Sequence, residues 1–408
     1  MRVAVAVSGG RDSMALLHCT ARAAKPLGIQ VLALHVHHGL QADADAWVEL
    51  VERTCRRWTI DFATRRLTGT PARSESLEAW ARRGRYRALA EMARAAGAGL
   101  VLLAHHQRDQ VETFLLQALR GGGPAGLAAM PAQIEREGII WSRPWLAQPE
   151  TAVAAYARRH RLRFVDDPTN TDPRFARSRL RGEVMPALRD AFPGAEAALA
   201  TAALRSAQAQ AVLVEVATAD LAELCDGMAL RLAPWGSLSL PRRRNALQTW
   251  LHQQVGRGAP YTLVDRLMGE LLAPGSAQWQ FEGFTLRRYR ARLAVSAHDG
   301  SAASGAAGSG FAPHLSAVEQ GGIATTLLCG AEWRPRCGGE RFQRAAGTPP
   351  RGLKKQFQAA GVAAWQREAP LLFSADGRLL FVPGLGIDAR VLAAPGEPQQ
   401  AVAWLPLG

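Results

Sequence analysis

Short apolar runs alternate with amphipathic stretches through the first 120 residues. Positions 3–7 (VAVAV), 31–36 (VLALHV) and 100–104 (LVLLA) are apolar runs of strand length, and such runs, bounded by turn residues, read as buried strands. Between them, 14–24, about 43–58 and 75–96 carry helical patterning. The stretch 109–120 has Val111, Phe114, Leu115 and Leu119 at helical spacing before Gly121-Gly122-Gly123-Pro124 ends it. Strands alternating with helices predict an α/β fold with an N-terminal doubly wound parallel sheet. Right-handed crossovers then bring the loops at Ser8, His35 and His105 to one edge, where open α/β sheets bind ligands.

Beyond residue 162 the pattern becomes irregular and basic, and 195–224 is a long Ala-rich stretch of helical character. Arg242-Arg243-Arg244 precedes another amphipathic segment, and 285–295 alternates like a strand while carrying four arginines. The stretch 299–310 is nearly all Gly, Ala and Ser, a composition that builds no core. The expected organisation is an α/β domain at 1–192, a mainly helical domain at 193–298, a flexible linker at 299–312 and a small α+β domain at 313–408.

Composition narrows the function. With 408 residues, 48% apolar and 21% charged, the chain is globular. No apolar run approaches the roughly 18–20 residues that cross a bilayer, so a cytoplasmic protein without membrane association is expected. Five cysteines, odd in number and never spaced C-x-x-C, disfavour a disulfide framework, a structural zinc or a redox dithiol. A formal charge of +14 suits a polyanion such as nucleic acid. None of the three lysines, Lys25, Lys354 and Lys355, follows a glycine, which excludes a G-x-x-x-x-G-K-[ST] phosphate loop.

A different phosphate loop is present. Ser8-Gly9-Gly10-Arg11-Asp12-Ser13 follows the first strand and opens the first helix. Its glycines allow close approach to an anion, the helix N-terminus offers free N–H groups, and the serines add hydroxyls. Taken alone, the same residues also suit a plain strand-to-helix turn, with Asp12 or Ser13 as cap. A carboxylate beside phosphates is compatible with Mg²⁺ binding, with helix capping, or with both.

S-G-G-x-D-S after a first strand resembles the pyrophosphate loop of the N-type ATP pyrophosphatases. Within that group, His35 to Leu40 (HVHHGL), Glu78 to Arg82 with Arg85-Tyr86, Ala104 to Thr113 (AHHQRDQVET), Arg120 to Gly123, Asp167-Pro168-Thr169-Asn170 and Arg177-Ser178-Arg179-Leu180-Arg181 resemble the tRNA(Ile)-lysidine synthetases. So do Gly338-Gly339-Glu340, Leu353 to Phe357, Trp365, Arg367 and Pro383-Gly384-Leu385. The resemblance spans nearly the whole chain.

The resemblance implies an AMP-forming ligase with an ATP pyrophosphatase catalytic domain at 1–192 and tRNA-binding domains at 193–298 and 313–408. It would adenylate the wobble cytidine of a tRNA(Ile) with a CAU anticodon and join L-lysine to it. ATP would sit on Ser8, Gly9, Gly10, Arg11, Asp12 and Ser13, with Asp12 also on Mg²⁺. Asp12, Asp109 and Glu112 would be catalytic; Asp109, Glu112 and Arg177 would hold lysine; Arg181, Arg344, Lys354 and Lys355 would bind tRNA. No protein partner is expected. From spacing alone, Asp109 and Glu112 share a helix face, where acids in a first turn also stabilise the helix dipole without any function. The histidines are read as packing or hydrogen-bonding residues, without zinc.

Four positions depart from the family pattern: Arg108 replaces an acid, His37 an acid, Gln41 an arginine and Ser178 an asparagine. A tRNA thiolase of the same superfamily and a non-catalytic tRNA-binding protein are the competing readings.

Overall fold

The computed structural model describes residues 1–37, 39, 44–70, 77–165, 174, 176–297, 311–362, 367 and 369–406. The chain divides into two compact units, Met1–Leu213 and Val214–Gly408.

In the first unit, β1 (Arg2–Ala6), β2 (Gln30–His37), β3 (Asp61–Arg66), β4 (Leu100–Leu102), β5 (Gln133–Arg136) and β6 (Ile139–Ser142) form one sheet in the order β3-β2-β1-β4-β6-β5. Every neighbouring pair is parallel except the β5–β6 edge hairpin. The helices are α1 (Arg11–Ala24), α2 (Ala44–Trp58), α3 (Leu77–Ala95), α4 (Gln107–Ala118), the single turn α5 (Pro124–Leu127) and α6 (Glu150–Arg159).

Strand alternation explains how both faces of this sheet are covered. Val5, Val31 and Ala33 point to one side and pack with Met14, Leu16 and Leu17 of α1 and Val51 and Cys55 of α2. Ala4, Leu32, Leu34 and Val36 point to the other and pack with Ala88, Leu89 and Met92 of α3. Each fully buried leucine or methionine contributes about 1.5–3 kcal/mol. The strand order reverses beside β1: the chain moves outward through β2 and β3, then crosses back to β4 on the far side of β1. The loops after β1 and β4 therefore flank one crevice.

The first unit continues with α7 (Ala176–Arg179), one π-helical turn at Leu180–Val184, α8 (Met185–Ala191) and α9 (Ala195–Leu224), which runs on into the second unit. Leu180 and Met185 are buried with Val111 of α4. The Asp167-Pro168-Thr169-Asn170 element lies outside the described residues.

In the second unit, β7 (Cys225–Asp226), β8 (Ala229–Arg231), α10 (Leu232–Ser237), α11 (Leu240–Val255), α12 (Tyr261–Glu270), β9 (Ala277–Phe281), β10 (Phe284–Tyr289) and β11 (Arg292–Ala297) surround a core with Trp235, Leu247, Trp250, Leu286 and Leu293 at its centre. The alternating stretch 285–295, expected as one strand, is a hairpin: β10 pairs antiparallel with β11 across Arg290 and Ala291, at φ 47° and 55°. Such left-handed turns usually advertise themselves by Asn-Gly, and here that signal is missing. Most of the expected linker, 299–310, lies outside the described residues, but Phe311 and Ala312 already belong to the strand Phe311–Val318, which pairs antiparallel with Gln399–Pro406. Among the described residues no helix is long and apolar enough to cross a membrane.

Candidate active site

The loop after β1 is built by its own side chains. Ser8 and Ser13 face each other across it: the Ser8 amide donates to Ser13 Oγ (3.1 Å), and Ser13 Oγ donates to the Gly10 carbonyl (2.9 Å). The Gly10 amide donates to Ser8 Oγ (3.3 Å). Gly9 lies at φ 89°, a conformation that favours glycine, and its carbonyl accepts from the Val165 amide (3.0 Å). α1 starts directly behind, at Arg11, so unpaired helix N–H groups point toward the loop. Arg11 is held by Asp12 (Nε to Oδ1, 2.8 Å) and by Glu150 at the start of α6. Nothing in the sequence singles out Glu150, a lone acid in a first turn.

The two loops of the crevice meet at Asp12 and His106. Nε2 of buried His106 lies 3.4 Å from Asp12 Oδ2. Burial opposes both charges, but the contact prevails: with Arg11 it lowers the Asp12 carboxyl, and with Asp109 it raises the His106 imidazole. A raised histidine stabilises the fold below its ordinary value of about 6.5 and loses that contribution as pH rises through the higher folded value. A lowered carboxyl stabilises above its ordinary value and loses that only on strong acidification. The pair is therefore worth most between about pH 4 and 6.5. Accordingly, His106→Gln is expected to lower the melting temperature more at pH 5.5 than at pH 8.5; an equal loss at both would contradict the pairing.

Farther along α4, Asp109 and Glu112 lie on one face, the first almost and the second fully buried. Asp109 does cap its helix, as the dipole reading requires, since Oδ2 accepts from the His106 amide (3.0 Å). The larger partner is Arg181, from the π-helical turn. Its Nε and Nη2 grip Glu112 at Oε1 (2.5 Å) and Oε2 (2.9 Å), and Nη2 reaches Asp109 Oδ1 (3.2 Å). Arg181, expected on tRNA, is thus engaged with the acid pair. Arg177, expected on lysine, donates to Thr113 Oγ1 (2.9 Å), whose hydroxyl in turn donates to the Asp109 carbonyl (2.8 Å).

Beside the acids is a cationic wall. His105 is pushed down to about 4, first by burial and then by the charges of Arg143, Arg177 and Arg85, against the pull of Asp109. Its Nδ1 is buried with no hydrogen-bond partner, as is Nε of Arg143. A lowered imidazole, His105, thus stands next to a raised one, His106. Arg85, in the A-R-x-x-R-Y stretch, adds its charge to this wall. The crevice so combines a phosphate loop, a histidine paired with Asp12, two buried acids and cationic donors.

Three family models account for most of the chain. Residues 1–188 match a PP-loop domain, 230–294 a TilS substrate binding domain and 331–404 a TilS substrate C-terminal domain. The chain is 40% identical to a tRNA(Ile)-lysidine synthase of Ralstonia nicotianae, over 99% of this chain and 92% of that protein. It is 37% identical to that of Chromobacterium violaceum over 99% and 94%, and 36% identical to that of Burkholderia mallei over 99% and 93%. The chain belongs to the tRNA(Ile)-lysidine synthase family.

Residues that depart from the lysidine synthase pattern have local partners here. Arg108, where an acid is usual, places Nε 3.7 Å from Glu112 Oε1. His37 accepts from the Gly39 amide at Nδ1 (3.0 Å) and faces Asp45 Oδ1 at Nε2 (3.1 Å), so it ties the end of β2 to Gly39 and to the first turn of α2. His35 Nδ1 bonds to the Val7 carbonyl (2.8 Å) and ties β2 to the phosphate loop. Ser178 is buried on α7. In the part matched by the lysidine synthase C-terminal model, Lys354 and Lys355 are exposed on the helix Leu353–Ala360, opposite buried Leu353 and Phe357, and Arg344 is exposed nearby. Gln41 and Trp365 lie outside the described residues.

Proposed function

We propose that this ATP-dependent ligase adenylates the wobble cytidine of tRNA(Ile) bearing the CAU anticodon and joins L-lysine to it. The cytosine 2-oxo oxygen attacks the α-phosphorus of ATP and pyrophosphate leaves. The lysine ε-amine then attacks the ring carbon, the carbon–oxygen bond breaks, and AMP and a proton depart. Activation makes AMP the leaving group, so no protein nucleophile is needed. Cys55 is unsuited to that role in any case, since burial in the core pushes its thiol up to about 12.

In this reading Ser8 to Ser13 cradle the departing pyrophosphate through backbone amides and hydroxyls. His106, its imidazole raised by Asp12, is positioned beside that charge, and Asp109 with Glu112 receives an ammonium of the amino acid. Asp12 fits Mg²⁺. A magnesium ion shared with nucleotide phosphates takes only one or two carboxylates, and among the described residues no cluster of three or more His, Cys, Asp or Glu would hold a metal alone. Bound there, the ion supplies neutralisation of phosphate charge. Exposed Arg344, Lys354 and Lys355 would contact tRNA phosphates.

The observation that carries the proposal is the single crevice in which a phosphate loop faces a buried acid pair. Its test is incubation with ATP, L-lysine and unmodified tRNA(Ile), followed by mass spectrometry of the digested nucleosides. Lysidine, formed only with all three substrates, is the expected product; ATP-dependent tRNA change without lysine incorporation would refute the reading.

A further inference from the structure

Every carboxylate oxygen of the acid pair already has a donor. Oδ2 of Asp109 takes the His106 amide; Oδ1 and both oxygens of Glu112 take Arg181. Positive charge already offsets the acids: two carboxylates face the guanidinium of Arg181 and that of Arg108, and His106 Nδ1 lies 3.6 Å from Asp109 Oδ2. Adding a substrate ammonium to this buried set would leave an unpaired charge there, which is strongly disfavoured. One cation has to go.

Arg108 is fixed to the same helix as Glu112, one turn away. Arg181 is not. It rides on the π-helical turn Leu180–Val184, between α7 and α8, and π-turns are frequent where a helix serves function. Its side chain is 30% exposed against 0% for Glu112, so the guanidinium has a route to water while the carboxylate has none.

We propose that Arg181 is a resident counter-cation that occupies the ammonium position of the acid pair and is displaced when the amino acid binds. The inference rests on the lysine reading above. Arg181 thereby acts as a positioning residue before the amino acid binds: it pairs with two buried carboxylates and holds them in place. It also sets the affinity for the amino acid, because the substrate gains only the difference between its own contacts and those of the guanidinium.

The test compares steady-state kinetics of the full chain with those of Arg181→Gln and Arg181→Lys, using ATP, tRNA and varied lysine. Arg181→Gln removes the competing charge, and its KM for lysine is expected to fall at least threefold with KM for ATP unchanged. Arg181→Lys, still a competing cation, should stay near the wild-type KM. A KM for lysine that is unchanged or raised in Arg181→Gln would make Arg181 a permanent clamp and overturn the inference. Should Arg181→Gln fail to fold, hydrogen–deuterium exchange of the wild-type protein decides: lysine should speed amide exchange across 180–184, and unchanged or slower exchange overturns the inference. Wild-type protein that never depends on lysine for turnover would sink the lysine reading itself, a result distinct from lysine-dependent turnover with a raised KM in the variant.

Discussion

Asp12→Asn is expected to cut ATP-dependent tRNA modification at least 100-fold, about 2.7 kcal/mol of transition-state stabilisation, while tRNA affinity stays within about twofold. The asparagine keeps the shape of the first turn of α1 and loses the charge. That charge does two things: it pairs with Arg11 and, across the crevice, it raises the His106 imidazole. Without it the phosphate loop loses the carboxylate proposed for Mg²⁺, and the imidazole that faces the loop returns toward its ordinary value. Pyrophosphate release and filter binding on the same preparation separate the two effects. Turnover within about tenfold of wild type would place the essential charge elsewhere.

Glu112→Ala should have the largest effect on stability. It removes the bidentate partner of Arg181 from a fully buried position and leaves a guanidinium and Asp109 to rearrange. Breaking a buried ion pair on one side costs about 3–5 kcal/mol when the remaining charge stays buried. Because Arg181 is partly exposed and can reach water, about 2–3 kcal/mol is expected. Urea unfolding of the wild type, Glu112→Ala and Glu112→Gln measures it, with the glutamine variant falling between, since it keeps a hydrogen bond. Lysine-dependent activity should be lost in both. A loss of stability below about 0.5 kcal/mol in the alanine variant would mean the pair contributes no more than an exposed one.

Elements with their own periodicity were legible in the sequence. α2, α3 and α9 stand within about two residues of their expected bounds, and the runs behind β1, β2 and β4 are strands of one parallel sheet. β3 (DFATRR) gave no such signal. It is an outer strand with mostly exposed side chains, and its place is set by pairing with β2 rather than by apolar content. The β5–β6 hairpin was missed because its apolar residues are few and local.

The phosphate loop was legible because glycine, serine and a following helix occur together at one place in the chain. The pairings that organise the crevice were not. Asp12 meets His106 from 94 residues away, and Glu112 meets Arg181 from 69. Only the return of the chain to β4 beside β1, and the packing of Leu180 against Val111, bring them together. Arginine abundance hid the arginine that grips the acid pair, since nothing in the composition separates Arg181 from its neighbours.

The reversal of strand order beside β1 has a bearing on how the protein is made. The nascent chain completes the phosphate loop early, yet His106 and both buried acids arrive only once β4 has docked against β1. A chain synthesised only through β3 thus carries the glycine loop without the histidine and the two acids that line the crevice of the finished protein.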